Sequence, residues 1–312
     1  MNMTTNTLSS LFGGTAMLAV LTVGGCSDGD SEETGEVTAT ISVELPDFSI
    51  PVGESFQCYY SDVITEKDLS VVSAGGKQVE GGHHLSLYYV DNERPVGLQE
   101  CSGTTEMVDW HFVVGAGGEG NEDAQLSLPK GLAFKVPKGK QLMVQAHYIN
   151  VSGAEMPAAD SMTIELTEAE KVEAYAADFV IDDDHFEIEP HSDFTSVMTC
   201  EVPQDLSLTM LLGHMHEQGA YYKLEQVDEA GELLTVLYES EWIPSFASHP
   251  PINKYGTDQP LELEKGTRLR QTCQWKNETD AKLLFPTEMC IGFGYYFPGT
   301  ERVMCERMEE PK

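Results

Sequence analysis

The sequence predicts an all-β protein built from two tandem β-sandwich domains. Short β-rich segments recur along the chain, and clusters of Gly, Pro, Asn and Asp separate them; examples are ATISVELPDFSI, SMTIELTEAE, FTSVMTCEV and CIGFGYYF. Helical periodicity is scarce, and its best candidate, TEAEKVEAYAADF, is also consistent with a linker that leads into a strand. The acidic segment near residue 168 separates two halves of similar size. We therefore expect domains at 48–168 and 169–308.

The first 25 residues predict the signal peptide of a bacterial lipoprotein. The segment LFGGTAMLAVLTVGG is apolar, rich in small residues and too short for a permanent membrane span, and Cys26 follows it as in a lipobox. The preceding MNMTTNT lacks a Lys or Arg, so an ordinary signal peptide with a chance cysteine is the alternative. Residues 26–47, which include SDGDSEETGE, are expected to form an acidic flexible tether.

These features predict an exported protein that an acyl chain on Cys26 anchors to the bacterial cell envelope, on its periplasmic or surface side. The lipid is the only expected contact with the membrane. Ser27 after the lipidated cysteine favours the outer membrane.

Charge and cysteine content narrow the class further. The formal net charge is −34, so the chain repels nucleic acid and anionic lipid, and we expect no nucleic-acid partner. Six cysteines remain besides Cys26, and an even number in an oxidising compartment predicts disulfides, although six allow 15 connectivities. No pair has Cys-x-x-Cys spacing, which disfavours a thiolate zinc site. The six are Cys58, Cys101, Cys200, Cys273, Cys290 and Cys305.

Two histidines end the apolar segment SLTMLLGHMHEQGAYY. His214 and His216 are two residues apart, so on a strand both side chains face the same side and can reach one metal ion. Met215 between them faces the other way and is expected in the core. The spacing alone also occurs by chance, so it is weak by itself.

Three more histidines accompany strand-like segments in the first half. His83 and His84 are neighbours, which face opposite sides of a regular strand, so one metal could bind both only at a twist or bulge. His147, in LMVQAHYIN, could equally be a core histidine. Together the five suggest two metal sites, and the second needs a third ligand. If that ligand is a thioether, the metal is copper, and Met289 in PTEMCIGFGYYF is available.

The order of these motifs resembles the copper type II, ascorbate-dependent monooxygenases, the family of peptidylglycine α-hydroxylating monooxygenase and dopamine β-monooxygenase. The resemblance covers roughly residues 50–308. It is carried by the order Cys, His-His, LPKG, VQAHY, Cys, His-x-His, Cys, Glu-Met-Cys, Cys, with LPKGLAFKV at 128–136 and TEMC as the most specific pieces.

The resemblance implies two jelly-roll-like domains, each holding one copper ion at a shared cleft. His83, His84 and His147 would bind an electron-transfer copper, and His214, His216 and Met289 would bind the catalytic copper. It also implies that Gln145 lies on the path between the metals. The implied disulfides are Cys58–Cys101, Cys200–Cys305 and Cys273–Cys290, the last bracing the loop that presents Met289.

The implied reaction is hydroxylation of a C–H bond of a small molecule, with O₂ and ascorbate or another one-electron reductant as co-substrates. Three positions depart from the peptide-amidating members, in which an Arg, an Asn and a Tyr stand where this chain has Leu212, Ile291 and Phe293. These changes remove polar anchors. We therefore expect these three residues to line the pocket of a rather apolar substrate.

Two other functions remain possible from the sequence. A lipoprotein that stores or delivers copper without catalysis would need the same ligands. A structural surface sandwich, in which the histidines are core residues, would bind no copper tightly.

Overall fold

The computed structural model describes residues 35–101, 109–116, 124–247, 249–285 and 287–308. The predicted signal peptide and Cys26 lie outside these residues. Within the described ranges the chain is all-β, as predicted, with 24 strands and two short 3-10 turns at Ala169–Lys171 and Pro244–Ala247. No helix in these ranges has the length and apolar character that a membrane crossing requires.

The strands of the first half are β1 (Ala39–Glu44), β2 (Phe48–Ile50), β3 (Gly53–Ile64), β4 (Leu69–Lys77), β5 (Gly82–Val90), β6 (Gly97–Glu100), β7 (Trp110–Ala116), β8 (Ala124–Ser127), β9 (Leu132–Val136), β10 (Gln141–Asn150), β11 (Met156–Ala158) and β12 (Ser161–Thr167). Those of the second half are β13 (Ala174–Asp182), β14 (Glu187–Ile188), β15 (Ser192–Glu201), β16 (Leu206–His214), β17 (Gly219–Val227), β18 (Leu233–Glu241), β19 (Asn253–Lys254), β20 (Leu261–Leu263), β21 (Arg268–Asn277), β22 (Leu283–Leu284), β23 (Ile291–Phe297) and β24 (Val303–Cys305).

Each half has a hydrophobic core between two layers of strands, and the first core also includes Met210 and Tyr295 of the second half. In the first half, the sheet β6-β3-β10-β5-β7 packs on strands β1, β12, β4 and β9 through residues such as Leu87, Val144 and Ile164. In the second half, the sheet β15-β21-β17-β18 packs on β13, β23 and β16 through residues such as Phe179 and Leu224. This is the sandwich architecture that the alternating strands predict.

One sheet continues from the first half into the second. Its order is β1-β12-β4-β9-β13-β23-β16-β19, and the link is the parallel pairing of β9 with β13, where Leu132 lies opposite Ala174. Just before it, the segment with the best helical periodicity forms only the turn Ala169–Lys171 and then enters β13. The alternative of a linker leading into a strand is thus confirmed.

Part of the range 26–47, predicted as a flexible tether, is folded. Strand β1 lies inside that range and pairs with β12, Ile41 opposite Ile164 and Val43 opposite Met162. The reason is the apolar alternation of ATISVEL, which gives β1 one side to bury on the neighbouring core.

The chain contains three disulfides, Cys58–Cys101, Cys200–Cys305 and Cys273–Cys290. They confirm the pairing that the resemblance implies. Cys200–Cys305 spans 105 residues and Cys273–Cys290 spans 17, so loop-closure entropy assigns them about 4.7 and about 3 kcal/mol of stabilisation respectively.

Candidate metal centre

Three imidazoles meet where β5 and β10 lie side by side. His147 on β10 is opposite His84 on β5, but the next residue, Tyr148, is opposite Gly82, so His83 is an extra residue in a β-bulge. The bulge removes the strict alternation that would send two neighbours to opposite faces. Every pair of the three rings has centroids between 4.6 and 5.1 Å apart, and one ligand atom of each lies within 4.8 Å of the others. The bulge that a shared metal requires is therefore present.

Hydrogen bonds determine which ring nitrogens of this triad are available. His147 Nε2 lies 2.9 Å from Glu54 Oε1 and, as the N–H donor, leaves Nδ1 with its lone pair free. His83 Nδ1 and His84 Nδ1 approach each other to 2.9 Å. Both His147 Nδ1 and His83 Nε2 are buried without a hydrogen-bond partner among the described residues. Each such buried nitrogen costs roughly 1–3 kcal/mol unless something binds it.

The electrostatics of the triad favour the ligating form of imidazole. Burial, followed by the charges of neighbouring imidazoles, lowers the pKa of His83 and His84 well below the ordinary value. Burial also lowers the pKa of His147, against the opposing hydrogen bond with Glu54. All three rings are therefore neutral near pH 7, and neutral imidazole is the form that binds metals. The side chains present fit a metal ion that prefers nitrogen ligands, copper among them.

His214 and His216 form a second group at the end of β16. His214 is the last residue of the strand, and the two ring centroids are 5.2 Å apart. His216 Nδ1 donates to the backbone carbonyl of Thr287 at 2.9 Å, which leaves Nε2 free. Met215 is fully buried in the second core, as predicted.

Small residues behind His214 let the strands pack closely. Gly213 on β16 lies opposite Gly292 on β23, and a Cβ at Gly213 would come within 2.2 Å of the Tyr222 ring. A larger residue at position 213 would displace the Tyr222 ring or the strand, so glycine allows the close packing next to His214.

Met289 lies on the wall of the same cavity as the histidines. This cavity has a volume of about 320 Å³, and its lining includes His84, His147, His214, His216 and Met289. The two neighbours of Met289 are both fixed: Glu288 by hydrogen bonds and Cys290 by its disulfide to Cys273. The methionine thus sits on a braced loop.

Glu288 is a buried hydrogen-bond acceptor that the sequence interpretation missed. It is 1% exposed. Its Oε2 accepts from the His216 amide at 3.1 Å and from Trp275 Nε1 at 3.0 Å, and its Oε1 accepts from the Gln218 amide at 2.8 Å. Burial raises the pKa of Glu288, against these donors. One carboxylate therefore ties the His-x-His turn to the Met289 loop.

The two groups of histidines adjoin in this structure. The ring centroid of His216 is 6.0 Å from that of His83 and 6.1 Å from that of His147. The five imidazoles are thus continuous, whereas the resemblance implies sites that face each other at a cleft. Gln145, two residues before His147 on β10, lines the same cavity and is 8% exposed.

The three residues predicted to line an apolar pocket do lie together beside His214. Leu212 is opposite Phe293, and His214 is opposite Ile291, across β16 and β23. With His84 they line a second cavity of about 450 Å³, whose other walls are mainly apolar.

Of the remaining four histidines, three are paired with aspartates and the fourth lines the apolar cavity together with His84. His111 pairs with Asp91, His185 with Asp184 and His191 with Asp280. His249 borders the apolar cavity.

Comparison with known proteins finds no family for this chain and only remote structural similarity. No protein-family model matches the chain, and no curated protein sequence matches it. Among solved structures, PNGase F, a glycosylasparaginase from Flavobacterium meningosepticum, is 10% identical with a TM-score of 0.37, over 86% of this chain and 98% of that one. The STIV MCP is 10% identical with a TM-score of 0.30, over 84% and 92%. The PBSX exported protein XepA is 8% identical with a TM-score of 0.24, over 75% and 86%.

Proposed function

We propose that this chain is a copper-dependent monooxygenase that holds two copper ions and hydroxylates a C–H bond of a small molecule. The observation that carries the proposal is one cavity lined by imidazoles of both groups and by Met289, beside an apolar pocket. The motif resemblance to the ascorbate-dependent copper monooxygenases supports the same conclusion, as do the three disulfide pairs that it implies.

The ligand chemistry favours copper over other metals. Imidazole suits several transition metals, but a thioether in the set selects Cu(I) rather than zinc or magnesium. His83, His84 and His147 would hold one ion, and His214, His216 and Met289 the other. When bound, the two ions supply one-electron transfer and activation of O₂.

The reaction must balance as R–H plus O₂ plus two electrons and two protons giving R–OH and water. One C–H bond and the O–O bond break, while one C–O and three O–H bonds form. Ascorbate or another one-electron reductant supplies the electrons in two steps.

The protein's own residues orient the ligands and shape the reaction space. Glu54 and the Thr287 carbonyl fix the tautomers of His147 and His216, because each accepts from one ring nitrogen and leaves the other for the metal. Leu212, Ile291 and Phe293 exclude water from the bound substrate and hold its apolar part near His214. Gln145, on the wall of the same cavity, is the residue we assign to the path between the metals.

We also propose that the chain works outside the cytoplasm, tethered to the cell envelope by a lipid on Cys26. Three disulfides suit an oxidising compartment. The lipid anchor on Cys26 is proposed from the sequence before residue 35 alone.

The test is turnover of the copper-loaded protein with ascorbate, ¹⁸O₂ and a panel of apolar small molecules. A hydroxylated product with one ¹⁸O atom, lost in His214→Ala and retained in the surface control His111→Ala, is expected. Two tightly bound coppers without oxygen incorporation, together with transfer of copper to an acceptor protein, would instead support storage or delivery.

A further inference from the structure

Asp182 places a carboxylate on the wall of the histidine-lined cavity. It is the last residue of β13 and lies opposite Ile291 on β23, which lies opposite His214 on β16. Directly opposite residues of antiparallel strands point to the same face. Asp182, Ile291 and His214 therefore form one row, two strand spacings or ~10 Å long. Their shared presence in the cavity lining agrees with this direction.

The Asp182 carboxylate makes no hydrogen bond or ion pair with any other described residue. Its Oδ1 is buried and has no hydrogen-bond partner among the described residues. An unpaired carboxylate in such a position is costly, so the fold alone gives no reason for an acid there. Burial, followed by the charges of Asp184 and Asp183, raises the pKa of Asp182 to about 6, and the group is ionised at neutral pH.

The other acids of the run Asp182–Asp183–Asp184 have different surroundings. Asp183 is fully buried and is bonded to Arg307 and to Ser196 Oγ, the latter at 2.6 Å. Asp184 is half-exposed and pairs with His185. Of the three aspartates, Asp182 alone lines the cavity, so the proposed binding depends on one oriented carboxylate and not on acidity in general.

The nearest cation on the cavity wall is already neutralised. Arg302 lines the cavity, but its Nε is bonded to the buried carboxylate of Asp178. The pair carries no net charge, which leaves Asp182 as the unbalanced charge. The rest of the wall near it is apolar and includes Val180, Ile291 and Phe293.

We propose that Asp182 is a specificity-determining residue that binds the protonated amine of a substrate whose apolar body lies along Ile291 and Phe293 towards His214. The identification of the bound molecule as substrate rests on the proposed function, whereas the binding of an ammonium group does not. Binding by Asp182 refines the expectation of an apolar substrate, since the substrate would then carry one cationic group in addition to its apolar body. The strongly negative chain would also attract such cations from solution.

The experiment compares three probes of similar shape in the copper-free full-length protein at pH 7: hexylammonium, 1-hexanol and hexanoate. Affinities are measured by NMR titration, so no turnover is needed. We expect hexylammonium to bind at least tenfold more tightly than 1-hexanol and hexanoate more weakly than both. Asp182→Asn should remove the preference for the amine, while Asp182→Glu should keep most of it. Asp184→Asn, the same charge change at the exposed neighbour, should leave it unchanged.

Equal binding of amine and alcohol by the unaltered protein would overturn the proposal without any variant. Retention of the preference in Asp182→Asn would overturn it as well. If Asp182→Asn instead removed a copper ion from the loaded protein, Asp182 would be a metal ligand and the proposal would be wrong. An intact amine preference in a protein that never hydroxylates would contradict the proposed function alone.

Discussion

Replacement of Glu288 by Gln tests whether the buried carboxylate holds the two halves of the proposed catalytic site together. The carboxylate accepts three hydrogen bonds, from the amides of His216 and Gln218 and from the Trp275 indole. A glutamine of the same shape offers one oxygen, so its NH₂ must face at least one of these donors. A lost hydrogen bond to a charged group is worth about 1.5–3 kcal/mol, and the stranded donor adds to this. We expect the free energy of unfolding to fall by about 2–4 kcal/mol.

The assay is equilibrium urea unfolding of the oxidised, copper-free protein, followed by tryptophan fluorescence. Glu278→Gln is the matched control, because Glu278 is an exposed acid whose carboxylate accepts from Lys276 at 2.6 Å. Its replacement should leave the urea midpoint unchanged, because the ion pair is exposed to solvent. An equally unchanged midpoint for Glu288→Gln would refute the expectation, since it would mean that the three donors find other partners at no cost.

Two further predictions concern Glu54 and Asp182. Glu54→Gln should weaken copper binding at the three-histidine group by roughly 10–100-fold, because His147 loses a charged hydrogen-bond acceptor. Competition with a chelator measures the copper affinity. A loss of affinity no larger than in the exposed control Glu66→Gln would contradict this prediction. The raised pKa of Asp182, about 6 against an ordinary 3.8, means that the folded state binds this proton more tightly than the unfolded state. Its stabilising contribution is present below pH 3.8 and is lost as the pH rises through 6, so Asp182→Asn should gain thermal stability relative to the unaltered protein over that window. Parallel curves of Tm against pH for the two copper-free proteins would contradict this.

The features that the sequence predicts well are those set by local pattern. Alternation within ATISVEL and FTSVMTCEV identifies strands with one buried side, and the same period of two places Met215 in the core and His214 on the other face. The need for a bulge at His83 and His84 also follows from that period, and the structure contains the bulge.

What the sequence could not predict depends on pairing between distant strands. Glu288 acts on His216, 72 positions away, and no local pattern marks a buried glutamate in TEMC as a hydrogen-bond acceptor. No local pattern distinguishes one of the three aspartates from 182 to 184, yet the pairing of β13 with β23 places Asp182 on the cavity wall. The continuation of one sheet from β9 into β13 was equally hidden, because the parallel pair is set by tertiary packing.

The most direct test of the central claim is the number of Cu(I) ions that the purified protein retains against a chelator, combined with X-ray absorption at the copper edge. We expect two ions per chain, with a copper–sulfur signal that Met289→Ile removes. Met304→Leu, a substitution of another methionine on the same cavity wall, should retain both ions and the signal. No tightly bound copper, or two ions without any sulfur ligand, would contradict the assignment of the two sites.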